Sequence, residues 1–336
     1  MAEPSISLIP EISYIVVCYN SERYISRCIN SILNQSHTNY EIIIIDNSSK
    51  DNTISIVQNL CSANKKIRLI SNTSNVGYGN AISTTLANAQ GEFLAIMNAD
   101  TFLDSNWASN LLKIFSADEK VMSASGKILF PNGELQSTGG IMDKYGAVIQ
   151  RESKIFYSRK INDLSTFFYN HGSTFMIRKK VFQEIWFDQK LFLYYEDVDL
   201  AWKIIMLDYK IGYAENAISY HDEGHSSSGM TPFKFYYITR NRLYICLKNY
   251  SKQNIIFRVP IALLLTFFNS IFYATSEKSI DYIGNFLKAV VWNLFNIRLI
   301  IREHKRLRLK NKISDNVLDS HLLKISIELS LIKRRP

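Results

Sequence analysis

The 336 residues have the composition of a folded protein with a sizeable core. Hydrophobic residues make up 47% of the chain and charged residues 21%, which excludes disordered, collagen-like and polytopic membrane proteins. The four cysteines form no C-x-x-C pair, so zinc ribbons and disulfide scaffolds are excluded and a reducing cytoplasm fits. The N-terminus, Met-Ala-Glu-Pro, has neither a basic nor an apolar region, and it predicts no secretory signal.

The net charge of +9 is concentrated in the C-terminal third. Residues 231–336 contain 19 Lys and Arg against 6 Asp and Glu, a net charge of +13, and the rest of the chain carries −4. This asymmetry predicts that the C-terminal region meets an anionic partner, either nucleic acid or a membrane surface.

Short β-rich runs alternate with helix-period segments in the first hundred residues, which predicts an α/β fold with a mostly parallel central sheet. Strands are predicted at residues 14–18, 41–45, 67–70 and 93–97. The second run contains four successive isoleucines that cannot alternate between two faces, so this strand should be buried on both faces. The dipeptide Asn20-Ser21 is predicted to cap the helix after the first strand.

The second half of the chain changes character. Glycine and turn residues between 121 and 146 predict a hairpin or an irregular loop instead of another strand-helix unit. Further strands are predicted at residues 167–177 and 211–220, with a helix between them that starts near residue 196.

Polar side chains follow three of the predicted strands. Asn20 comes after the first strand, Asp46 after the second and Asp100 after the fourth. Because ligands of open α/β sheets bind beyond the carboxyl ends of the strands, we expect these side chains to converge. Asp100 could hold a divalent metal that bridges a diphosphate, although an Asp at a strand end also serves as a turn residue or helix cap.

Three carboxylates, those of Glu196, Asp197 and Asp199, fall within four residues. A helix N-terminus tolerates such a cluster, and the alternative role is a general base that deprotonates an acceptor hydroxyl. His221 follows a later strand and is a candidate metal ligand or diphosphate contact, although a lone His is more often structural.

Residues 259–276 contain no charge, which is near the lower limit for a membrane span. Polar residues within this stretch and basic residues after it favour an in-plane contact with anionic lipid over a span. A helical subdomain with a solvated basic face is an equal alternative.

Six motifs occur in order over about residues 12–245. They are VVCYNS (16–21), Gln35, EIIIIDNSSKDNT (41–53), NVGYGN (75–80), NADT (98–101), and FDQKLFLYYEDVDL (187–200) followed by His221. Together they resemble the inverting glycosyltransferases of family two, in particular the rhamnosyltransferase-like branch. The resemblance implies a GT-A fold, a Rossmann-like nucleotide-sugar-binding domain at residues 1–230, with a donor half at about 12–120 and an acceptor half at about 121–230. A helical, basic region at 231–336 follows.

The resemblance also implies the site residues. Those expected to contact the nucleotide-sugar are Tyr19, Asn20, Asp46, Asn75, Gly77, Asn80 and Asn98. Asp197 matches the catalytic base, with Glu196 and Asp199 on the acceptor side. Asp100 and His221 match positions that face a divalent metal, Mg²⁺ or Mn²⁺, and the diphosphate. Asn98 stands in place of the first acid of the family's D-x-D motif, which removes one metal-binding charge.

The implied reaction moves a sugar with inversion to a hydroxyl of a glycan or a polyprenyl-diphosphate-linked acceptor in cell-surface polysaccharide biosynthesis. Deoxythymidine-diphosphate rhamnose is the first expected donor, and UDP-hexoses are the second. Arg240 is expected to contact a diphosphate, and the enzyme is expected to be cytoplasmic and peripheral on the inner face of the cell membrane.

Two other functions compete with this interpretation. An inactive nucleotide-sugar-binding scaffold is disfavoured because Asp46, Asp100 and Asp197 are all present. A nucleic-acid-binding protein that uses the basic tail is disfavoured because the tail's aromatic residues lie in aliphatic runs and not among basic residues.

Overall fold

The computed structural model describes residues 9–151, 167–223 and 229–328. The chain forms two compact units, the first within residues 1–135, 171–192 and 212–223 and the second within residues 136–170, 193–211 and 224–336. The predicted boundary at residue 230 does not coincide with this division, because two earlier segments cluster with the C-terminal helices.

The strands carry the labels β1 to β11 in chain order. They are β1 (Ile12–Cys18), β2 (Tyr40–Asp46), β3 (Ile67–Ser71), β4 (Phe93–Asn98), β5 (Thr101–Leu103), β6 (Val121–Leu129), β7 (Leu135–Ser137), β8 (Gly140–Met142), β9 (Val148–Gln150), β10 (Thr174–Arg178) and β11 (Lys210–His221). The central sheet runs in the order β3-β2-β1-β4-β10-β6-β11-β5.

The four strands predicted first form the parallel half of this sheet. β1 pairs in parallel with β2 and β4, and β2 pairs in parallel with β3. Every residue of β2 is buried, as its four isoleucines predicted. β10 is antiparallel to β4 and β6, and β5 is antiparallel to β11. The α/β fold predicted from the sequence is therefore confirmed.

The register of the parallel strands brings their carboxyl ends to one edge. Cys18 pairs with Asp46, and Val17 pairs with Asn98. Since β1, β2 and β4 end at the same level, the loops that follow them share this edge of the sheet.

Helices cover the sheet and form the C-terminal region. They are α1 (Ile25–Leu33), α2 (Thr53–Ala63), α3 (Tyr78–Thr85), α4 (Trp107–Ala117), α5 (Glu196–Met206), α6 (Pro232–Asn249), α7 (Lys252–Ser276), α8 (Asp281–Phe295), α9 (Ile297–Lys310) and α10 (Asp315–Ser320). Buried side chains of α1 and α4, among them Ile29, Trp107 and Phe115, pack with β1, β2 and β4 in one core cluster.

Two local predictions were wrong. Asn20-Ser21 does not cap α1, which begins at Ile25 with Tyr24 at the cap position. Both predicted capping residues are bonded to the segment after β2 instead. The Lys50 N–H, in the loop, donates to Asn20 Oδ1 (2.8 Å), and the Ser21 N–H donates to Oγ1 of Thr53, the first residue of α2 (2.7 Å).

The strand predicted at residues 167–177 begins later than expected. Only Thr174–Arg178 forms a strand in this part of the chain. The preceding residues turn, with the Thr174 N–H donating to the His171 carbonyl (3.3 Å), so the extended conformation starts after that turn.

The second unit contains the β8–β9 hairpin and the helices α5 to α10. The hairpin begins inside the segment where a hairpin or loop was predicted, and its turn uses Gly146 at φ +82°. The C-terminal region is helical, as predicted. Among the described residues, one helix, Lys252–Ser276, has the length and mean hydropathy (2.0) that a membrane span requires.

Candidate functional site

Asp46 organises the loop at the end of β2. Its side chain is fully buried, and Oδ2 accepts the N–H groups of Ser48 and Ser49 at 3.1 Å each. A carboxylate that accepts two backbone donors fixes the loop conformation. The structure therefore places Asp46 beneath the loop surface, where it shapes the expected nucleotide site.

Tyr19 and Asn20 lie beside this loop at the end of β1, and both are exposed. Asn20 adopts a left-handed conformation with φ +50°. Its N–H donates to Ser49 Oγ (2.9 Å) and its Oδ1 accepts from the Lys50 N–H (2.8 Å). The structure thus brings the predicted residues of β1 and β2 together in one bonded pair of loops.

An amide network that the sequence analysis did not predict extends this edge. Asn47 Nδ2 donates to Asn75 Oδ1 (2.9 Å), and Asn72 Nδ2 donates to Asn47 Oδ1 (3.1 Å). Asn75 Oδ1 also accepts the Gly77 N–H (3.0 Å). The network links the loop after β2 to the loop before α3, and the run of Asn residues in these two loops was its only sequence signal.

Gly77 is required for steric reasons. Its φ is +86°, and a Cβ atom there would lie 2.4 Å from the Phe192 carbonyl oxygen. Asn80, in the first turn of α3, donates from Nδ2 to the carbonyls of Val76 (2.9 Å) and Gln189 (3.2 Å). Its Oδ1 is buried without a hydrogen-bond partner. These two residues hold α3 against the 187–192 segment of the same unit.

Asp100 lies just after β4, and its side chain is next to that of His221, the last residue of β11. Asp100 Oδ1 lies 3.4 Å from His221 Nε2, and this oxygen is buried and accepts no hydrogen bond. Asn98, at the end of β4, donates its N–H to the Ser173 carbonyl (2.9 Å). The two residues predicted to face a metal and diphosphate are therefore neighbours.

His171 is a further member of this cluster that the sequence did not reveal. Its ring centroid lies 5.8 Å from that of His221, and its Nδ1 is 2.8 Å from Ser173 Oγ. Burial and the neighbouring His221 lower the pKa of His171 to about 3. His171 is therefore neutral at physiological pH.

The pair formed by Asp100 and His221 fits a divalent cation that completes its coordination with water and substrate phosphates. The buried Oδ1 of Asp100, which accepts no hydrogen bond, suits Mg²⁺ or Mn²⁺. Over residues 9–151, 167–223 and 229–328, no group of three or more His, Cys, Asp or Glu side chains could hold a metal ion by itself. The protein alone thus offers a partial coordination shell.

In the second unit, the acidic cluster stands at the N-terminus of α5. The two residues before the helix, Tyr194 and Tyr195, both have left-handed backbones, with φ +66° and +70°. Asn241 of α6 holds this turn, because its Nδ2 donates to the carbonyls of Leu193 (2.8 Å) and Tyr194 (2.7 Å). The turn sets the direction of the carboxylates that follow.

Glu196 and Asp197 are both partly exposed, and their carboxylate oxygens make different contacts. Burial, together with the charge of Asp197, raises the pKa of Glu196 to about 8, and its Oε2 is buried without a hydrogen-bond partner. Asp197 is partly exposed, and its Oδ1 accepts the Val198 N–H (2.8 Å) in the first turn of the helix. The two adjacent carboxyl groups therefore hold a proton more tightly than ordinary carboxylates do.

Asp199 is placed differently from the prediction that it lies on the acceptor side. Its side chain is 1% exposed, and its carboxylate pairs with Lys203 Nζ (2.7 Å) and Lys248 Nζ (2.9 Å). Asn249 Nδ2 donates to it as well (2.9 Å). Contact with an acceptor would require these buried bonds to open, so the structure gives Asp199 the role of joining α5 to α6.

Arg240 is also buried, in contrast to the predicted diphosphate contact. Its guanidinium lies 4.5 Å from the ring centre of Trp292 and 4.7 Å from that of Tyr237. Its Nε donates to Asn241 Oδ1 (2.8 Å), and burial lowers its pKa. Arg240 thus orients the amide of Asn241, a role for which the sequence contains no signal.

Comparison with known proteins identifies a family. Residues 13–186, more than half of the chain, match the model of the family described as Glycosyl transferase family 2. This match confirms the family resemblance predicted from the motifs, whereas the rhamnosyltransferase branch stays a prediction.

Relatives with assigned names match part of the chain. An uncharacterized glycosyltransferase of Haemophilus influenzae is 34% identical over 112 residues, 33% of this chain and 35% of that protein. The poly-beta-1,6-N-acetyl-D-glucosamine synthase of Staphylococcus epidermidis is 24% identical over 211 residues, 62% of this chain and 48% of that protein. The matches thus span about a third to a half of these relatives.

Solved structures share the fold. S. aureus TarS 1-349 in complex with UDP has a TM-score of 0.55 at 19% identity, covering 96% of this chain and 91% of that one. GalNAc-T7 with UDP, GalNAc and Mn²⁺ has a TM-score of 0.61 at 16% identity, covering 85% of this chain and 57% of that one.

Proposed function

Because the chain belongs to glycosyl transferase family 2, we propose that it is an inverting glycosyltransferase that uses a nucleoside-diphosphate sugar as donor. The observation that carries this proposal is the buried Oδ1 of Asp100, which lies 3.4 Å from His221 Nε2 and accepts no hydrogen bond. A buried carboxylate oxygen at a strand end suits a cation that neutralises a diphosphate.

The donor nucleotide is assigned to the edge formed by the loops after β1 and β2. Tyr19 offers an exposed ring and Asn20 an exposed amide, and both stand on a loop that Asp46 fixes. Deoxythymidine-diphosphate rhamnose remains the first proposed donor, on the branch resemblance. A UDP-sugar is the second, and it is supported by the UDP bound to TarS and to GalNAc-T7.

Asp100 and His221 would hold Mg²⁺ or Mn²⁺. When bound, the cation would neutralise charge on the leaving nucleoside diphosphate. The Mn²⁺ in the GalNAc-T7 structure and in the Pyrobaculum calidifontis mannosyltransferase structure supports this proposal.

Asp197 is the proposed general base. Its carboxylate lies in the first turn of α5. Its carboxylate takes the acceptor proton as the acceptor oxygen forms a bond to the anomeric carbon. The bond from that carbon to the diphosphate oxygen breaks on the opposite face, and the electron pair leaves with the nucleoside diphosphate. The raised pKa of Glu196 disfavours a second negative charge beside Asp197.

The proposed acceptor is a glycan or a polyprenyl-diphosphate-linked glycan of a cell-surface polysaccharide. The S. epidermidis relative, named a polysaccharide synthase, supports this acceptor class. A lipid-linked acceptor would place the enzyme in the cytoplasm, peripheral on the inner face of the cell membrane.

Two variants test the assignment. We expect Asp197→Asn to lower kcat by about 100-fold or more, because proton removal in the transition state is lost, while donor binding is kept. Asp100→Ala should instead weaken donor binding. Donor binding is measured as the rise in Tm with a panel of nucleotide-sugars, with and without Mn²⁺, because a ligand of the native state stabilises it.

Asp118→Asn is the matched control, since this partly buried Asp follows α4 and accepts the Lys120 N–H (2.8 Å) in a turn. Wild-type turnover by Asp197→Asn would remove Asp197 as the base. A panel in which no nucleotide-sugar raises the Tm of the wild-type chain would contradict the transferase proposal itself.

A further inference from the structure

One face of α7 is apolar along most of the helix. Every exposed residue between 256 and 271 is apolar, over a length of roughly 23 Å. This outer face of α7 consists of Ile256, Phe257, Pro260, Ile261, Leu264, Phe267, Phe268 and Ile271. Phe257 is 65% exposed and Leu264 is 54% exposed, so a large apolar area meets solvent.

The opposite face of α7 is fixed to the second unit by polar bonds. Arg258 pairs with Asp319 (2.6 Å), and Asn269 Nδ2 donates to Glu328 Oε1 (2.5 Å). Thr266 Oγ1 accepts from Arg242 Nη1 (3.1 Å). A membrane-spanning position would expose this face to lipid and break these charged contacts, which is costly in hydrocarbon.

Exposed apolar side chains also occur in α8 and α9. Leu294 and Phe295, at the end of α8, are 63% and 86% exposed. The next helix alternates exposed apolar and basic residues, which are Ile297, Arg298, Ile301, Arg302, Lys305 and Arg306. Arg302 and Arg306 lie 3.4 and 3.8 Å from Glu303, whereas Arg298 and Lys305 are exposed cations.

We propose that the outer face of α7 docks in the plane of an anionic lipid bilayer, with the cations of α9 contacting the headgroups. The apolar outer face of α7 matches the acyl layer of such a membrane, and the exposed apolar and basic residues that alternate along α9 match its boundary with the headgroups. This inference rests on the proposed function only for the choice of the cell membrane as the bilayer. Lipid binding itself is measurable without sugar transfer.

The test uses the full chain and flotation with vesicles of phosphatidylcholine alone or mixed with phosphatidylglycerol. We expect binding to the mixed vesicles, and a drop of about tenfold or more in partitioning for Leu264→Glu and for Phe268→Glu. Both side chains are exposed, so these variants should keep the wild-type Tm. Ile9→Glu, at a 75% exposed position in the first unit, is the matched control and should float as wild type.

Two further measurements separate the components of the contact. Arg298→Gln with Lys305→Gln should reduce binding to the anionic vesicles several-fold and weaken its salt dependence. An alkaline carbonate wash should release the bound protein, because an in-plane helix is held only from one side.

Equal flotation of wild type and Leu264→Glu would overturn the proposal. Retention after the carbonate wash would overturn the in-plane position in favour of a span. A dimer of the wild-type chain in lipid-free solution that Phe268→Glu dissociates would also overturn the proposal, because a second copy of the chain would then cover the outer face of α7. The rise in Tm with a nucleotide-sugar is recorded for every variant, so failure of the docking surface leaves the test of the transferase function intact.

Discussion

The acidic residues at the start of α5 show how burial separates neighbouring side chains of the same chemistry. Asp199 is fully buried and has cations on its carboxylate. Glu196 has a buried oxygen without a partner. Asp197 is partly exposed and lies between them in sequence. Desolvation therefore raises the pKa of Glu196, whereas two lysines and an asparagine bind the carboxylate of Asp199.

Glu196→Gln tests this difference through the pH dependence of stability. The pKa of Glu196 is raised from 4.5 to about 8 in the folded chain. Between these values the folded chain holds a proton that the unfolded chain has lost, so the contribution of Glu196 to stability falls as pH rises from about 4.5 to about 8. Gln does not titrate, so the Tm of the variant minus that of wild type should increase over this range.

Thermal melts from pH 4 to pH 9 measure this difference, and Glu119→Gln at an exposed position is the control. A Tm difference that stays constant across the range would show that Glu196 titrates as an ordinary carboxylate.

The turn before α5 is the local structure on which the proposed base depends. Two consecutive non-glycine residues in the left-handed region are unfavourable, and such a conformation persists only where surrounding bonds hold it. Asn241 supplies two of these bonds from α6 and is itself fully buried. A position on one helix thus determines how another helix begins.

Asn241→Ala removes both bonds and leaves the carbonyls of Leu193 and Tyr194 without this donor. We expect a loss of about 1–3 kcal/mol in the free energy of unfolding. We also expect a lower kcat with an unchanged KM for the donor, because Asn241 acts as a positioning residue for Asp197. Urea denaturation and steady-state kinetics measure the two effects.

Asn110→Ala is the control, since its Nδ2 also donates to a backbone carbonyl, that of Asn216 (2.8 Å), at an exposed site. If kcat per folded molecule of Asn241→Ala equals that of wild type, the two hydrogen bonds from Asn241 have no positioning role.

The whole molecule distributes its charge and burial unevenly between the two compact units. The first unit places polar residues at the carboxyl edge of a buried sheet. The second unit contains a buried ionic cluster that connects α5 to α6, formed by Asp199, Lys203, Lys248 and Asn249. Removing one partner of a buried ion pair strongly lowers the free energy of unfolding, because the other charge stays buried without compensation.

Asp199→Ala tests how far the second unit depends on this cluster. The substitution leaves two buried lysines without their carboxylate, so we expect a loss of about 3–5 kcal/mol in the free energy of unfolding. Lys127→Ala is the control, because Lys127 Nζ pairs with Glu215 (3.7 Å) at the surface and its loss should cost about 0–1 kcal/mol. Urea denaturation followed by tryptophan fluorescence compares them, and equal midpoints would contradict the structural role of Asp199.

The sequence by itself determined the α/β fold, the first four strands and the edge at which Asn20, Asp46 and Asp100 gather. Strand patterns are local, because a run of isoleucines such as that of β2 is buried wherever it is placed, and parallel strands bring their carboxyl ends together. The ordered motifs likewise identified the family, which the match over residues 13–186 confirmed.

Only the tertiary structure decided which polar residues stay accessible. Asp199 is bound by a lysine 49 residues away, and Asn241 reaches carbonyls 47 and 48 residues earlier. His171 comes close to His221 only because the chain folds back between them. Partners so distant in sequence are selected by packing, and a buried polar group takes whichever partner that packing brings within hydrogen-bond distance. Residue type and spacing along the chain therefore located the acidic cluster. Which of Glu196, Asp197 and Asp199 is buried, and which partners each one binds, depended on the fold.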